Sequence, residues 1–257
     1  MASSSETGIA KNIANASAVV EACAGFGADY QPSNPLLTEP AIRAKQAAAA
    51  AARTAYIGAD SLQKTKINDR VLEYLPLEKT VRKAMGIFET SGANAEILKD
   101  AKGYADKITG DNIAKHLRKI ERERENGGTT PAADDAAGLG NSVSQLSYDR
   151  MLDNFKAFIE LLRVTPAYNP GEADIKIVNL DILAGKLHAA NQAVILGNTP
   201  FTEAEKVLNL ELYEAEVGLV DRMVLVKKYV RKAFGARSAR YKQISGLKFR
   251  KPEEPKN

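Results

Sequence analysis

The residues with the clearest chemical potential lie near the C-terminal end of the chain. Between Arg222 and Asn257 the sequence has twelve Lys or Arg and two Glu, a net charge of +10, whereas the whole chain carries +4. Tyr241 and Phe249 are interleaved with these cations. Cations bind phosphates with release of counterions, and aromatic rings stack on bases. The candidate phosphate- or partner-binding residues are Arg231, Lys232, Arg237, Arg240, Lys242, Lys248, Arg250 and Lys251.

The same cations have simpler explanations. They could stabilise the C-terminal end of a helix and belong to a solvated tail, or they could pair with the acidic surface of a second subunit. The remainder of the chain carries −6, so the molecule has one basic end. This polarity favours head-to-tail self-association, with weak and nonspecific nucleic-acid binding as the alternative.

Patterns typical of catalysis or metal binding are missing from the sequence. His116 and His188 are far apart, and neither belongs to an HxxxH or HExxH pattern. Cys23 is the single cysteine, so it cannot form an internal disulfide, and its place in an apolar helical stripe predicts a core residue. The short Gly-rich stretches at Gly25 and Gly138 lack the spacing of phosphate-binding loops. We therefore predict a protein that is not an enzyme and that uses no metal or cofactor.

Composition favours helices. Hydrophobic residues make up 44% of the 257 residues, aromatic residues only 6%, and Trp is absent. Abundant alanine favours closely packed helices over a sheet of β-branched and aromatic residues. Neither a signal peptide nor an apolar stretch of about 20 residues is evident, so we expect a cytoplasmic protein without membrane contact, although unconventional export is left open.

Apolar residues at three- and four-residue steps predict the positions of individual helices. An alanine-rich second helix should end before a third helix that covers Ser61 to Phe88, with a kink at Pro76. Near the end of the chain, Thr202 and Glu205 fit a capping box that opens a long helix reaching Phe234.

Two similar hexapeptides indicate an internal duplication. "VRKAMG" occupies Val81 to Gly86 and "VRKAFG" occupies Val230 to Gly235, and in each we expect the Gly to end a helix. In each half of the chain an apolar helical stripe and then a Tyr-x-Pro turn precede the hexapeptide, in the same order. The predicted division is a first helical half at 1–125, a flexible linker at 126–142, a second helical half at 143–246 and a basic, disordered tail at 247–257.

The two Tyr-x-Pro turns are predicted to be exposed interaction loops. They contain Tyr30 with Pro32 and Tyr168 with Pro170.

Several longer stretches resemble a family of helical-repeat proteins from Bacteroidetes bacteria. They include "AKNIANASAVVEACAGFGADYQPSNP", "YDRMLDNFKAFIELLRVTPAYNPGEADIKI", "GLVDRMVLVKKYVRKAFGARS" and "YKQISGLKF". The resemblance covers most of the chain and is clearest in its second half. It implies no activity and no functional residues.

The sequence thus predicts an all-α protein, an elongated helical bundle built from two homologous helical-hairpin halves. Its predicted role is that of a non-enzymatic structural or interaction protein. The expected partner is a second copy of itself, in an oligomer or filament, and the alternative is nonspecific nucleic acid bound by the basic C-terminal segment.

Overall fold

A computed structural model describes residues 4–126 and 141–252, with side chains described in 8–126 and 147–252. Over these residues the chain forms nine α-helices and three short 3-10 helices without a strand, which confirms the all-α fold class. The α-helices are α1 Ser4–Gly25, α2 Glu39–Tyr74, α3 Leu77–Glu89, α4 Ala95–Thr109, α5 Asn112–Glu125, α6 Asn141–Arg163, α7 Ile177–Tyr213, α8 Leu219–Phe234 and α9 Ala239–Ser245. The predicted linker at 126–142 lies almost wholly outside the described residues.

The predicted break before Ser61 is wrong, because α2 is one continuous helix of 36 residues. Gly58 within it costs about 1 kcal/mol relative to alanine, which the strong helix formers around it outweigh. Pro76 separates two helices instead of kinking one: α2 ends at Tyr74, and Pro76 is the N-cap of α3. A proline fits this position because the first turn of a helix needs no backbone N–H from it.

The predicted capping box at Thr202 is also wrong, since Thr202 lies inside α7, two residues after Pro200. The helix predicted to reach Phe234 in one piece is interrupted between α7 and α8. In this turn Glu216 has a φ of 65°, and the Gly218 N–H donates to the Glu214 carbonyl over 2.8 Å.

Gly218 is required by this turn, and we expect Gly218→Ala to destabilise the protein. A β-carbon there would lie 2.7 Å from the Glu214 carbonyl oxygen and 2.8 Å from the Leu212 carbonyl oxygen, both rigid backbone atoms. The expected loss is about 1–3 kcal/mol in the free energy of unfolding, measured by denaturant titration. Gly246→Ala is the control, because Gly246 has open space and a φ of −76°. Equal stability of the two variants would show that the turn does not require glycine at position 218.

The final glycines of the two hexapeptides have different positions relative to their helices. Gly235 has a φ of 90° and terminates α8 after Phe234, as predicted. Gly86 lies inside α3, which continues to Glu89, so the prediction that it ends a helix is wrong.

The helices form two compact units, each with its own core. Unit 1 combines residues 1–60 with 200–257, and unit 2 comprises residues 61–199. In unit 1, α1 packs on α8 and α9; in unit 2, α4 packs on α3 and α6. Each unit therefore takes segments from both of the predicted halves, and the compact units do not coincide with those halves. Duplication remains a prediction.

The two Tyr-x-Pro loops are built alike. Tyr30 donates its hydroxyl to the Leu37 carbonyl, and Tyr168 donates to the Ile175 carbonyl, each over 2.7 Å. Both tyrosines are only 7% exposed. Pro32 is half-buried and Pro170 is buried, so the prediction of exposed interaction loops is corrected for these four residues. An aromatic ring gains more by packing inside, provided that its hydroxyl finds an acceptor.

Each loop packs on the hexapeptide helix of the other predicted half. In unit 1 the Tyr30 ring contacts Tyr229 of α8 edge-to-face, with ring centroids 5.4 Å apart. In unit 2 the Tyr168 ring contacts Phe88 of α3 in the same manner at 5.7 Å. Each Tyr-x-Pro loop thus closes on the helix that carries a hexapeptide, at Tyr229 directly before one copy and at Phe88 two residues after the other.

Cys23 is 1% exposed in the core of unit 1, which confirms its predicted place. Burial raises the pKa of the thiol to about 11 from an ordinary value of 9.0. As the pH rises, the thiol of the unfolded chain therefore loses its proton before the thiol of the folded protein does. The contribution of Cys23 to the free energy of unfolding is complete below pH 9 and is lost as the pH rises towards 11.

We expect Cys23→Ala to lose less stability than the parent protein between pH 8 and pH 11. The difference should be roughly 2 kcal/mol, the free energy that corresponds to ionising the thiol in the unfolded chain only. Denaturant unfolding of both proteins at the two pH values measures it. Parallel pH profiles would show that the thiol does not contribute.

Candidate functional site

Unit 1 contains a groove of about 370 Å³ lined by cations and apolar side chains. One wall is a face of α8, formed by Val224, Lys227, Lys228 and Arg231. The other wall consists of Tyr241 from α9 and residues 247–250, which follow α9. Five cations line this basic groove, and none of its described lining residues is acidic.

The residues after α9 form a segment, 247–251, that we call the C-terminal strap. Asn12 of α1 donates its side-chain amide to the Arg250 carbonyl over 2.7 Å and accepts the Arg250 N–H over 3.0 Å. Asn15, one turn further along α1, donates to the Lys248 carbonyl over 2.7 Å. The strap is thereby fixed along α1.

Side chains alternate along the strap. Leu247 and Phe249 are half-buried against the core of unit 1, whereas Lys248 and Arg250 are exposed. The prediction that the tail is disordered from residue 247 is therefore corrected for 247–252. Burial of two apolar side chains and hydrogen bonds from α1 hold this segment in place.

Lys227 connects the two walls of the groove. Its ammonium donates to the carbonyls of Ser245 and Leu247, at 3.0 and 2.5 Å. A cation at this position satisfies carbonyls left unpaired at the end of α9. Partial burial lowers the pKa of Lys227. Lys227 thus joins the face of α8 to the segment that follows α9.

The remaining four cations of the groove are available to a ligand. Lys228, Arg231, Lys248 and Arg250 are exposed, and none forms an ion pair with another described residue. Four unpaired cations around a concave surface create a positive potential that favours an anion.

Of the eight predicted site residues, the groove brings together Arg231, Lys248 and Arg250. Arg240 instead pairs with Asp29 and lies over the Phe234 ring, 4.5 Å from its centroid. Lys251 pairs with Asp221 over 2.7 Å.

The other three predicted residues lie outside the groove lining, at exposed positions: Lys232, Arg237 and Lys242.

Sequence reasoning missed Lys227 and Lys228 as members of the site. The available signal was helical spacing, since residues three and four positions apart share a helix face and Arg231 follows these lysines at such intervals. The part played by Asn12 and Asn15 had no such signal, because they lie more than 230 residues away from the strap.

Unit 2 has a different polar cluster, which is buried. Arg70 is 3% exposed, with its guanidinium 4.0 Å from the centroid of the Tyr148 ring. Asn191, 1% exposed, donates to Asp149 over 2.8 Å. Arg70 and Asn191 are shielded from solvent, Asp149 is half-buried, and their contacts join α2, α6 and α7, so they favour one specific packing of the helices.

Among the described residues, no group of His, Cys, Asp and Glu could hold a metal ion, and no helix has the length and apolar character needed to cross a membrane. Comparisons with protein-family models, with curated proteins and with solved structures found no match for this chain.

Proposed function

We propose that this protein is a non-enzymatic binding protein that holds single-stranded nucleic acid in the basic groove of unit 1. The observation that carries the proposal is the convergence of five cations and two aromatic rings on one concavity without a lining carboxylate. Cations attract the phosphates of a nucleic acid, and rings offer stacking surfaces to its bases.

The strap suits an extended polyanion. Lys248 and Arg250 lie two residues apart in a non-helical segment, so their α-carbons are separated by roughly 6–7 Å. That separation is on the scale of successive phosphates in an extended strand. Across the groove, Lys228 and Arg231 lie one helical turn apart on α8, so both walls can follow the same backbone.

The aromatic rings favour a single strand over a duplex. Tyr241 and Phe249 line the groove and are half-buried, so each ring has one surface fixed by packing and another directed to the groove. In a duplex the bases are already stacked on one another and are not free to stack on these rings. Stacking on aromatic rings and contacts from cations to phosphates do not distinguish one base from another, so we expect little sequence preference.

Fluorescence anisotropy with labelled 20-residue oligonucleotides tests this function. Single-stranded DNA or RNA is expected to bind with Kd of about 1–100 µM at low salt, with log K against log salt falling at a slope of roughly −3 for four phosphate contacts. A matched duplex should bind more weakly. Absence of binding at 20 mM salt, or equal binding of the duplex, would overturn the proposal.

A further inference from the structure

Helix α7 has two apolar faces within unit 2, and one of them is buried. Leu180, Ala184, Leu187, Asn191 and Val194 recur at alternating four- and three-residue steps and are 0–8% exposed. Leu180, Ala184 and Leu187 of this face pack into the core of unit 2, as expected for the core side of an amphipathic helix.

The second apolar face lies on the opposite side and is exposed. It begins two residues before the buried set, and two residues correspond to about 200° around a helix. Val178, Ile182 and Leu196 are 60%, 53% and 70% exposed. Gly185, Ala189 and Gln192 complete a run with spacings of four, three, four, three and four residues. We call these six residues the α7 seam.

This spacing is the heptad repeat of a coiled coil. Ile182, Ala189 and Leu196 occupy a positions, and Val178, Gly185 and Gln192 occupy d positions. None of the six seam residues is charged, and together they span 19 residues, or about 28 Å of helix. Isolated exposed apolar residues are normal, but a regular uncharged heptad repeat in which Gln192 is the one polar side chain is typical of a surface that packs against another helix.

We propose that the α7 seam binds the α7 seam of a second copy of this chain, side by side and in parallel. The small residues Gly185 and Ala189 at the centre of the seam allow close approach of two helix backbones, and the outer Val178, Ile182 and Leu196 supply the buried area. The proposal is independent of nucleic-acid binding, because the seam lies in unit 2 and the basic groove lies in unit 1.

Charge complementarity identifies the second copy and its direction. Asp181 occupies a g position and Lys186 the e position five residues later, which is the spacing of interhelical ion pairs in parallel coiled coils. A parallel pair therefore places Asp181 of each copy beside Lys186 of the other, even though Asp181 also contacts Arg163 of its own chain. A fully overlapping antiparallel pair would instead place residue 186 opposite residue 188, which brings the two Lys186 side chains close to each other and leaves Asp181 opposite Ala193.

Sedimentation equilibrium on nuclease-treated full-length protein tests the association. We expect a monomer–dimer equilibrium in the parent protein and at least a 100-fold higher dissociation constant in Ile182→Glu, because the charge would be buried without a partner. Val207→Glu is the matched control: Val207 lies on the same helix outside the seam and is 48% exposed. A parent protein that stays monomeric at about 1 mM would overturn the proposal. An equal rise in the dissociation constant of the dimer in Ile182→Glu and Val207→Glu would also overturn the proposal.

Cysteine crosslinking tests the direction. Cys23 is 1% exposed, so an added cysteine is the reactive thiol. Under mild oxidation Gln192→Cys is expected to form a covalent dimer, because identical d positions meet in a parallel pair. In an antiparallel pair residue 192 faces residue 182 instead. Failure of Gln192→Cys to crosslink in a protein that still sediments as a dimer would overturn the parallel arrangement.

Discussion

The double substitution Lys228→Glu and Arg231→Glu is expected to abolish binding of single-stranded nucleic acid at moderate salt. Both side chains are exposed on the groove face of α8 and make no ion pair with another described residue. Each charge-assisted contact to a phosphate is worth about 1.5–3 kcal/mol, so losing two should weaken binding roughly 100-fold or more. The carboxylates would also repel the phosphates.

The salt dependence should change as well. Removing two phosphate contacts lowers the magnitude of the slope of log K against log salt by roughly 1.4 for a single strand. Anisotropy titrations at several salt concentrations measure both quantities. Because both positions are exposed, folding should change by less than about 1 kcal/mol, which thermal unfolding checks.

The matched control is Arg237→Glu with Lys242→Glu. It changes the net charge by the same amount, at two exposed positions outside the groove lining. If the groove contacts the nucleic acid directly, we expect the affinity to fall less than about 5-fold in this control, because these two positions act only through the long-range electrostatic field. Similar losses in the two double variants would mean that overall charge, and not the groove, attracts nucleic acid.

Helix type and the individual apolar faces were predictable from local spacing, whereas helix continuity was not. The sequence around Gly58 and the Pro200-Phe201-Thr202 stretch both have the features of a helix boundary. Yet α2 and α7 run through these positions. Further along α7, Leu208 and Leu212 pack in the core of unit 1, and such burial outweighs a local preference to end the helix.

Which segments of the chain belong to which compact unit could not be predicted, for a different reason. The hexapeptide and the Tyr-x-Pro turn were both recognised, but their pairing is crossed between the predicted halves: Tyr30 packs against Tyr229, and Tyr168 against Phe88. A single sequence shows which segments are alike. It does not show which copy each one contacts, and the contacting rings stand at different places: Tyr229 precedes its hexapeptide, whereas Phe88 follows its hexapeptide by two residues.

The candidate site was predicted in its chemistry and only partly in its residues. Charge counting located the basic region, and the interleaved Tyr241 and Phe249 do line the groove. Composition also suggested a disordered tail, because three cations in 247–251 masked the alternation of Leu247 and Phe249. What orders this segment is Asn12, a contact that no local pattern predicts.

Asn12→Ala is accordingly expected to release the C-terminal strap and to weaken the groove without unfolding unit 1. The Asn12 side chain is 2% exposed and makes two hydrogen bonds with the backbone of Arg250. Their loss should cost about 1–3 kcal/mol, which corresponds to a roughly 5–150-fold larger population of molecules with a detached strap.

Limited trypsin digestion measures this release, because the strap contains cleavable Lys and Arg residues and cleavage follows the population of the open form. Asn15→Ala is the control: it removes one hydrogen bond at an exposed site and should accelerate cleavage far less. Nucleic-acid affinity should fall in Asn12→Ala, because Lys248 and Arg250 would no longer be held opposite α8. If cleavage accelerates while affinity is unchanged, the cations of the strap do not contact the ligand, and only those of α8 carry the binding.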